Sequence, residues 1–267
     1  MICIFDIESV PDIKLLQEIY GYRGDSLSIC KQAFEAQKEI SGSEFLPLSF
    51  HRIISIASVL ADDFGNFIKV GHFAKNIDIE NRERVLLQEF STFINKQNPR
   101  LVSFNGRGFD MPLIALRALK YNINLSAYYE IENAQFGKNK WENYRQRYSE
   151  RFHLDLFDTL SNYGAARNLN LDSICKMAGI MGKYEISGKQ VFELIFTENN
   201  LEKVDFYCQS DVLNTYWLFL KFELTKGMIQ ITDYLTNLAR MQDNLPENAP
   251  YKEALVTCLT NEIQKYS

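Results

Sequence analysis

The chain contains no apolar run approaching the roughly eighteen residues of a membrane-spanning helix, so no membrane partner is expected. Its opening, MICIFDIES, carries an acid at position 6 and no basic stretch ahead of the apolar one. That pattern is not a secretory leader and reads as the first strand of a fold. Cysteine is scarce: the five residues Cys3, Cys30, Cys175, Cys208 and Cys258 are odd in number, far apart and never in a C-x-x-C pair. This argues against a disulfide framework and a structural zinc site, and implies thiols held reduced in a cytoplasmic protein. There is no excess of basic charge either. A net charge of −5 argues against a protein that merely coats a polyanion. It leaves room for an enzyme that gathers acids at its centre and bases on one patch. No G-x-G-x-x-G follows the first strand, which disfavours a dinucleotide-binding fold, and there is neither an internal repeat nor a low-complexity linker.

A hydrophobic content of 46% over 267 residues suffices for one large domain. Residues 2–8 alternate, placing Asp6 and Glu8 on one strand face and Phe5 and Ile7 on the other. A polar, helix-rich excursion over about 12–46 ends at Pro47. RIISIASVLADDFGNFIKVGHFA then reads as an antiparallel hairpin around Asp62-Asp63-Phe64-Gly65-Asn66. Helical periodicity covers 80–96, Pro99 stops it, and RLVSFN is a short buried strand. After the Gly106 and Gly108 turn, a helix begins with Asp110 near its N-terminus and Pro112 in its first turn. From about 155 the chain is almost wholly helical, with its longest element near 200–226 and a helical pair at 231–242 and 250–265. The expectation is an α/β chain with a ribonuclease H-like mixed β-sheet flanked by helices and a largely helical C-terminal half. It forms one domain over 1–267, with the core in about 1–226 and an extension over about 231–265.

Individually the candidate residues decide little. Asp6 and Glu8 read equally as solvated acids; Asp110 suits a first helical turn through the dipole. Tyr207 and Asp211 are four apart on one helix face, a spacing that is usually structural. Converging carboxylates, however, repel unless a hard divalent cation holds them together, which points to Mg²⁺ or Mn²⁺ and to phosphate chemistry.

In order, D-x-E, N-x-x-x-F-D and Y-x-x-x-D resemble the three exonuclease motifs of the DEDD superfamily. The tyrosine four residues before the last acid marks the DEDDy branch, which includes the proofreading domain of family-B DNA polymerases. The chain is similar to the bacterial predicted 3′–5′ exonucleases related to that domain. The likeness runs through FDIES, FHRIISIA, VSFNGRGFDMPLI, RFHLDLFDTLS and DFYCQSDVLNTYWLFL. The length leaves no room for a polymerase domain, so a stand-alone nuclease is expected.

The resemblance implies that Asp6, Glu8, Asp110 and Asp211 hold two divalent metal ions, Mg²⁺ or Mn²⁺, for in-line attack on the terminal phosphodiester. Tyr207 orients the attacking water, since a phenol with an ordinary pKa of about 10 is a poor proton acceptor at neutral pH. Products are nucleoside 5′-monophosphates and the partner is single-stranded DNA, with RNA as a variant. Phe5, Phe109 and Met111 correspond to positions where apolar side chains wedge or stack terminal bases, although alternation makes Phe5 a core residue. Asn105 is expected to hydrogen-bond substrate or a ligand.

Between Lys138 and Arg151, five basic residues face two acidic ones, with Trp141, Tyr144 and Tyr148 interleaved. Arg145, Arg147 and Trp141 there suit a single strand, cations following phosphates and rings stacking on bases. A helix packing its aromatic face on the body fits the spacing as well. Asp155 either supports the metal ligands or caps the helix after it. A dormant nucleic-acid-binding module, an exoribonuclease or, less readily, an endonuclease on the same fold are the alternatives to a DNA exonuclease.

Overall fold

The alternation of the first segment builds the strand on which everything else is arranged. In the computed structural model, which describes residues 1–184 and 188–266 (without the side chain of Lys189), β1 runs Ile2–Pro11. It is followed by α1 (Ile13–Tyr20) and α2 (Ser26–Ser41), then β2 (His51–Ala61), β3 (Phe67–His72), α3 (Ile79–Gln97), β4 (Arg100–Ser103) and α4 (Asp110–Tyr121). Next come α5 (Ser126–Tyr129), β5 (His153–Asp155), α6 (Leu156–Leu160), α7 (Leu171–Met177), α8 (Gly188–Glu193) and the long α9 (Leu201–Thr225). Helices α10 (Ile231–Asp243) and α11 (Lys252–Gln264) complete the order. The excursion between β1 and β2 is helical because Asp12 and Asp25 accept from Leu15 and Ser28 amides and cap α1 and α2. Gly21 and Gly42, both left-handed, end them.

The five strands order β3-β2-β1-β4-β5, with β1 antiparallel to β2 and parallel to β4. This is the mixed, ribonuclease H-like sheet expected. β5 is a strand the periodicity does not reveal, since three residues are too few for a period.

Each face of β1 serves a different layer. Phe5 and Ile7 pack with Leu86 and Phe90 of α3 and with Met111 and Ile114 of α4. Ile2 and Ile4 pack under α9 with Val212, Tyr216 and Trp217, and α10 and α11 close that core with Leu238 and Leu255. Asp6 and Glu8 therefore point to the α9 side. Their partners on β2 are Ala57 and Ser55, small side chains that leave room for α9 to approach. No described helix is long and apolar enough to cross a membrane.

Candidate active site

Three segments far apart in sequence meet at the C-terminal half of β1. Glu8, Asp110 and Asp211 are buried and Asp6 is half-buried. Asp110 opens α4, and its Oδ1 accepts the Ile7 backbone N–H at 3.1 Å, which ties the helix start to the strand between the two acids. The tight approach depends on the loop before it. A Cβ on Gly106 would stand 2.4 Å from Ser103 Oγ, so the turn accepts only glycine there. From the opposite layer, α9 presents Tyr207 and Asp211 one turn apart.

Crowding acids in a buried place costs their ionisation. Burial, then the neighbouring Asp110, Glu8 and Asp211, hold Asp6 well above the usual carboxylate range. Burial and Asp211 do the same to Glu8. Asp110 is pushed up to about 7 by burial, against its backbone hydrogen bonds. Asp211 rises to about 6 through burial, held down by Lys183 and by a hydrogen bond from Tyr207. The same burial and anions raise the Tyr207 phenol, which therefore stays protonated.

Asp211 Oδ1 is buried without a hydrogen-bond partner. A buried carboxylate oxygen with no donor, beside three further carboxylates of raised pKa, is the donor set that hard, oxygen-seeking divalent cations take. The residues present fit such ions. Cys208 lies against the same place: its thiol donates to the Asp6 carbonyl at 3.5 Å, and ligand atoms of Asp6, Glu8 and Cys208 lie within 4.8 Å of one another. Burial, first, and then the surrounding acids raise this thiol well above its ordinary pKa, so it is a neutral neighbour.

Lys183 is a side chain beside these acids that sequence reasoning misses. Its Nζ donates to Tyr207 Oη at 3.0 Å. The loop that carries it is fastened at Gly182, whose N–H and carbonyl both bond the Asn214 amide of α9, and by Asp172, which accepts the Lys183 N–H at 2.8 Å. A lone lysine in a loop leaves no periodic signal. Only the reach of Asn214 and Asp172, invisible in order along the chain, puts it here.

The substrate-side candidates divide. Phe5 is core, as alternation implies. Asn105 is exposed, in a left-handed conformation (φ 65°), and its N–H donates to Asp155 at 2.8 Å. Asp155 also accepts from Arg107 and from the first amides of α6, so it orders the loop before Asp110 and caps a helix at once. Phe109 is half-buried against His51 and Phe45. Met111 is the correction: it is wholly buried in the core beneath the sheet, because one residue beyond Asp110 the helix has turned inward, and it has no surface for a base.

The segment from Lys138 to Arg151 is not helical. Turns closed by Asn139 and Asn143 side chains shape it. Tyr144 is buried with its hydroxyl on the Pro99 carbonyl, and Lys138 is buried against Ala127 and Glu130. Arg147 is engaged by Asp158 at 2.6 Å, while Arg145 lies over the Tyr129 ring. Trp141, 70% exposed, remains on the surface beside Lys140.

Comparison with known proteins places the chain in a family. Residues 43–259 match the model of a family described as predicted 3′–5′ exonucleases related to the exonuclease domain of PolB. The match begins after β1, so Asp6 and Glu8 lie outside it. Among curated proteins, a DNA polymerase of Archaeoglobus fulgidus is 24% identical over 165 residues, covering 59% of this chain and 20% of the polymerase. A DNA polymerase of Thermococcus aggregans is 22% identical over 197 residues, covering 66% of this chain and 11% of the polymerase. The chain thus spans a fifth or less of these relatives. The family B DNA polymerase structure from Pyrobaculum calidifontis superposes with a TM-score of 0.52 at 15% identity, over 90% of this chain and 28% of the polymerase. With the family match covering most of its length, the chain belongs to the predicted 3′–5′ exonucleases related to the exonuclease domain of PolB.

Proposed function

We propose that this chain is a metal-dependent 3′–5′ exonuclease that releases nucleoside 5′-monophosphates from single-stranded DNA. The observation that carries the reading is the meeting of four carboxylates with raised pKa from β1, α4 and α9, one of them with an unpartnered buried oxygen. Asp6, Glu8, Asp110 and Asp211 would hold two divalent ions, Mg²⁺ or Mn²⁺. Such ions supply polarisation of the scissile phosphate and a lowered pKa for the attacking water. The choice of DNA rests on the likeness to DNA polymerases.

The protein's own share is orientation. Lys183 donates to Tyr207 Oη, so the phenol proton is left free to point elsewhere: to Asp211 in this structure, and to the nucleophilic water in the working complex. A phenol kept protonated by surrounding acids serves as a hydrogen-bond donor and not as the base. On the surface, Trp141 and Arg145 serve the strand leading to the site. Arg147, already paired with Asp158, contributes little.

The experiment is digestion of 5′-labelled single-stranded DNA and RNA of one sequence with Mn²⁺ or Mg²⁺, beside EDTA and Asp6→Ala controls. A ladder shortening from the 3′ end on DNA, lost in both controls, supports the proposal. Preference for RNA would make the chain an exoribonuclease, and binding without cleavage would make it a dormant binding module.

A further inference from the structure

Away from the four carboxylates, α9 closes a cavity of about 550 Å³ together with β3, the loop after it and the segment joining α10 to α11. This volume lies in the roughly 300–1,000 Å³ range of sites that take a small organic molecule. Asp205 and Gln209 of α9 face it. Tyr207 and Asp211, each two residues further on, are turned about 200° round the helix from them.

The floor of the cavity is fixed by its own bonds. Arg82 Nη2 donates to both Asp205 oxygens at 2.6 Å, and Ser55 Oγ donates to Oδ1 at the same distance. Tyr251 Oη donates to Gln209 Oε1 at 3.0 Å, which turns the Gln209 amide nitrogen onto His72 Nδ1 at 2.7 Å. His72 Nδ1 therefore accepts, and its Nε2 carries the proton towards Asp205, 3.5 Å away. These side chains satisfy one another and form a rigid wall.

The groups left for a ligand stand around that wall. Lys75 and Asn76 come from the loop after β3, Glu202 and Phe206 from the first turns of α9, and Asn248 from between α10 and α11. Among the described residues Lys75 and Glu202 form no ion pair, and the carboxamides of Asn76 and Asn248 meet no hydrogen-bond partner. Lys75 is held between two left-handed residues, Ala74 (φ 53°) and Asn76 (φ 60°). A buried alanine adopts that conformation only under constraint. Glu89 supplies it by accepting the Ala74 N–H at 2.7 Å, and Arg82 by donating to the Ala74 carbonyl at 3.1 Å. Phe206 is half-buried, edge-on to Tyr251.

An unpaired ammonium suits a phosphate, and an unpaired carboxylate accepts from a sugar hydroxyl. Free carboxamides suit the edge of a base and an aromatic ring its face. A neighbouring cavity of about 380 Å³ is lined by Tyr207, and Glu202, Phe206 and Asn248 line both. The two cavities therefore adjoin at Phe206, one residue from the tyrosine beside the acids.

We propose that this cavity, separate from the carboxylates, is a binding site for a nucleoside 5′-monophosphate, with Lys75 on the phosphate, Glu202 on the sugar hydroxyl and Phe206 against the base. The proposal rests on the exonuclease reading above for the source of its ligand. Hydrolysis from a 3′ end leaves a mononucleotide with a 5′-phosphate and a free 3′-hydroxyl, and releases it beside the wall that the two cavities share.

The test is isothermal titration calorimetry of the full chain in EDTA with thymidine 5′-monophosphate, beside thymidine and inorganic phosphate. Saturable binding of the nucleotide is expected, at least about 10-fold tighter than either fragment. Lys75→Ala should weaken it by about 10-fold or more, and Phe206→Ala by about 5- to 100-fold. Lys75 is exposed, so its replacement leaves the fold intact, and Lys75→Arg should retain the affinity. Asp211→Asn lessens the repulsion of a phosphate at the acids and should leave this binding unchanged. Binding that Asp211→Asn tightens and Lys75→Ala leaves within about 2-fold would put the nucleotide at the carboxylates and overturn the proposal. No binding of the nucleotide, or equal binding of inorganic phosphate, would overturn it as well, while 3′–5′ hydrolysis of single-stranded DNA by the same protein keeps the exonuclease reading. Binding that depends on Lys75 and Phe206 in a protein that hydrolyses neither DNA nor RNA would overturn the exonuclease reading and keep the nucleotide site.

Discussion

Replacing Asp110 with asparagine in the metal-free protein should stabilise the fold at alkaline pH. The carboxyl titrates near 7 in the folded chain against an ordinary 3.8. A group whose folded pKa is raised lends stability that is fully present below the unfolded pKa and is lost as pH rises through the folded one. The window here runs from about 4 to about 7. Over it, an ionised Asp110 comes to cost on the order of 4 kcal/mol at pH 8, with roughly 2 already felt at pH 5. Asparagine is isosteric, keeps an oxygen for the Ile7 N–H, and carries no charge at any pH. It adds an amide N–H₂ whose incomplete pairing takes back about 1–3 kcal/mol. The net gain at pH 8 corresponds to a Tm higher by on the order of 5 °C for a chain of this size. The assay is thermal unfolding in EDTA from pH 5 to 8, repeated with Mn²⁺. Wild type should lose stability as pH rises in EDTA and regain it with metal; Asp110→Asn should be flatter and gain less from metal. Asp211→Asn should behave alike with a smaller gain, its folded value being about 6, and should abolish hydrolysis. A wild-type Tm independent of pH over this window, or an Asp110→Asn protein less stable than wild type at pH 8, would refute the reasoning.

The other predictions are simpler. Lys183→Met should lower kcat with KM little changed, and adding Tyr207→Phe should cause no further loss, because the two side chains act as one unit; additive losses in a steady-state cycle would separate them. Glu83→Ala should destabilise by ~3 kcal/mol, since it strips partners from Tyr121 and the Ile53 amide and leaves Arg117 with Asp12 alone. Urea unfolding that shows less than about 1 kcal/mol would mean water replaces them. Trp141→Ala combined with Arg145→Ala should weaken single-strand binding and reduce the salt slope by about one, read by fluorescence anisotropy across ionic strength. An unchanged slope would make that surface incidental.

How much of this is legible in the sequence depends on the range of the forces involved. A period of two is local, so the alternation alone puts Asp6 and Glu8 on one strand face, and the structure keeps them there. The hairpin and α9 followed from turn residues and long apolar periodicity in the same way. The segment around Trp141 and Tyr144 misleads because aromatics three and four apart imitate a helix. In fact Tyr144 is drawn inward by the Pro99 carbonyl, while asparagine side chains close turns around it. Of the two readings of Asp155 the helix cap is seen, and its remaining lone pairs take the Asn105 and Arg107 amides of the loop before Asp110. Lys183, Cys208 and Phe45 owe their positions to contacts with residues remote in sequence, and no local pattern marks them.

The assembly of the four acids from both ends of the chain has a consequence for synthesis. Asp6 and Glu8 emerge first from a ribosome, and Asp110 follows midway, but none meets Asp211 until α9 (Leu201–Thr225) has been made and has docked on the sheet. The core on that side of β1 is itself incomplete without α9, so earlier lengths of chain lack the fourth carboxylate and the layer that buries the other three. The full set of four carboxylates thus assembles late and all at once.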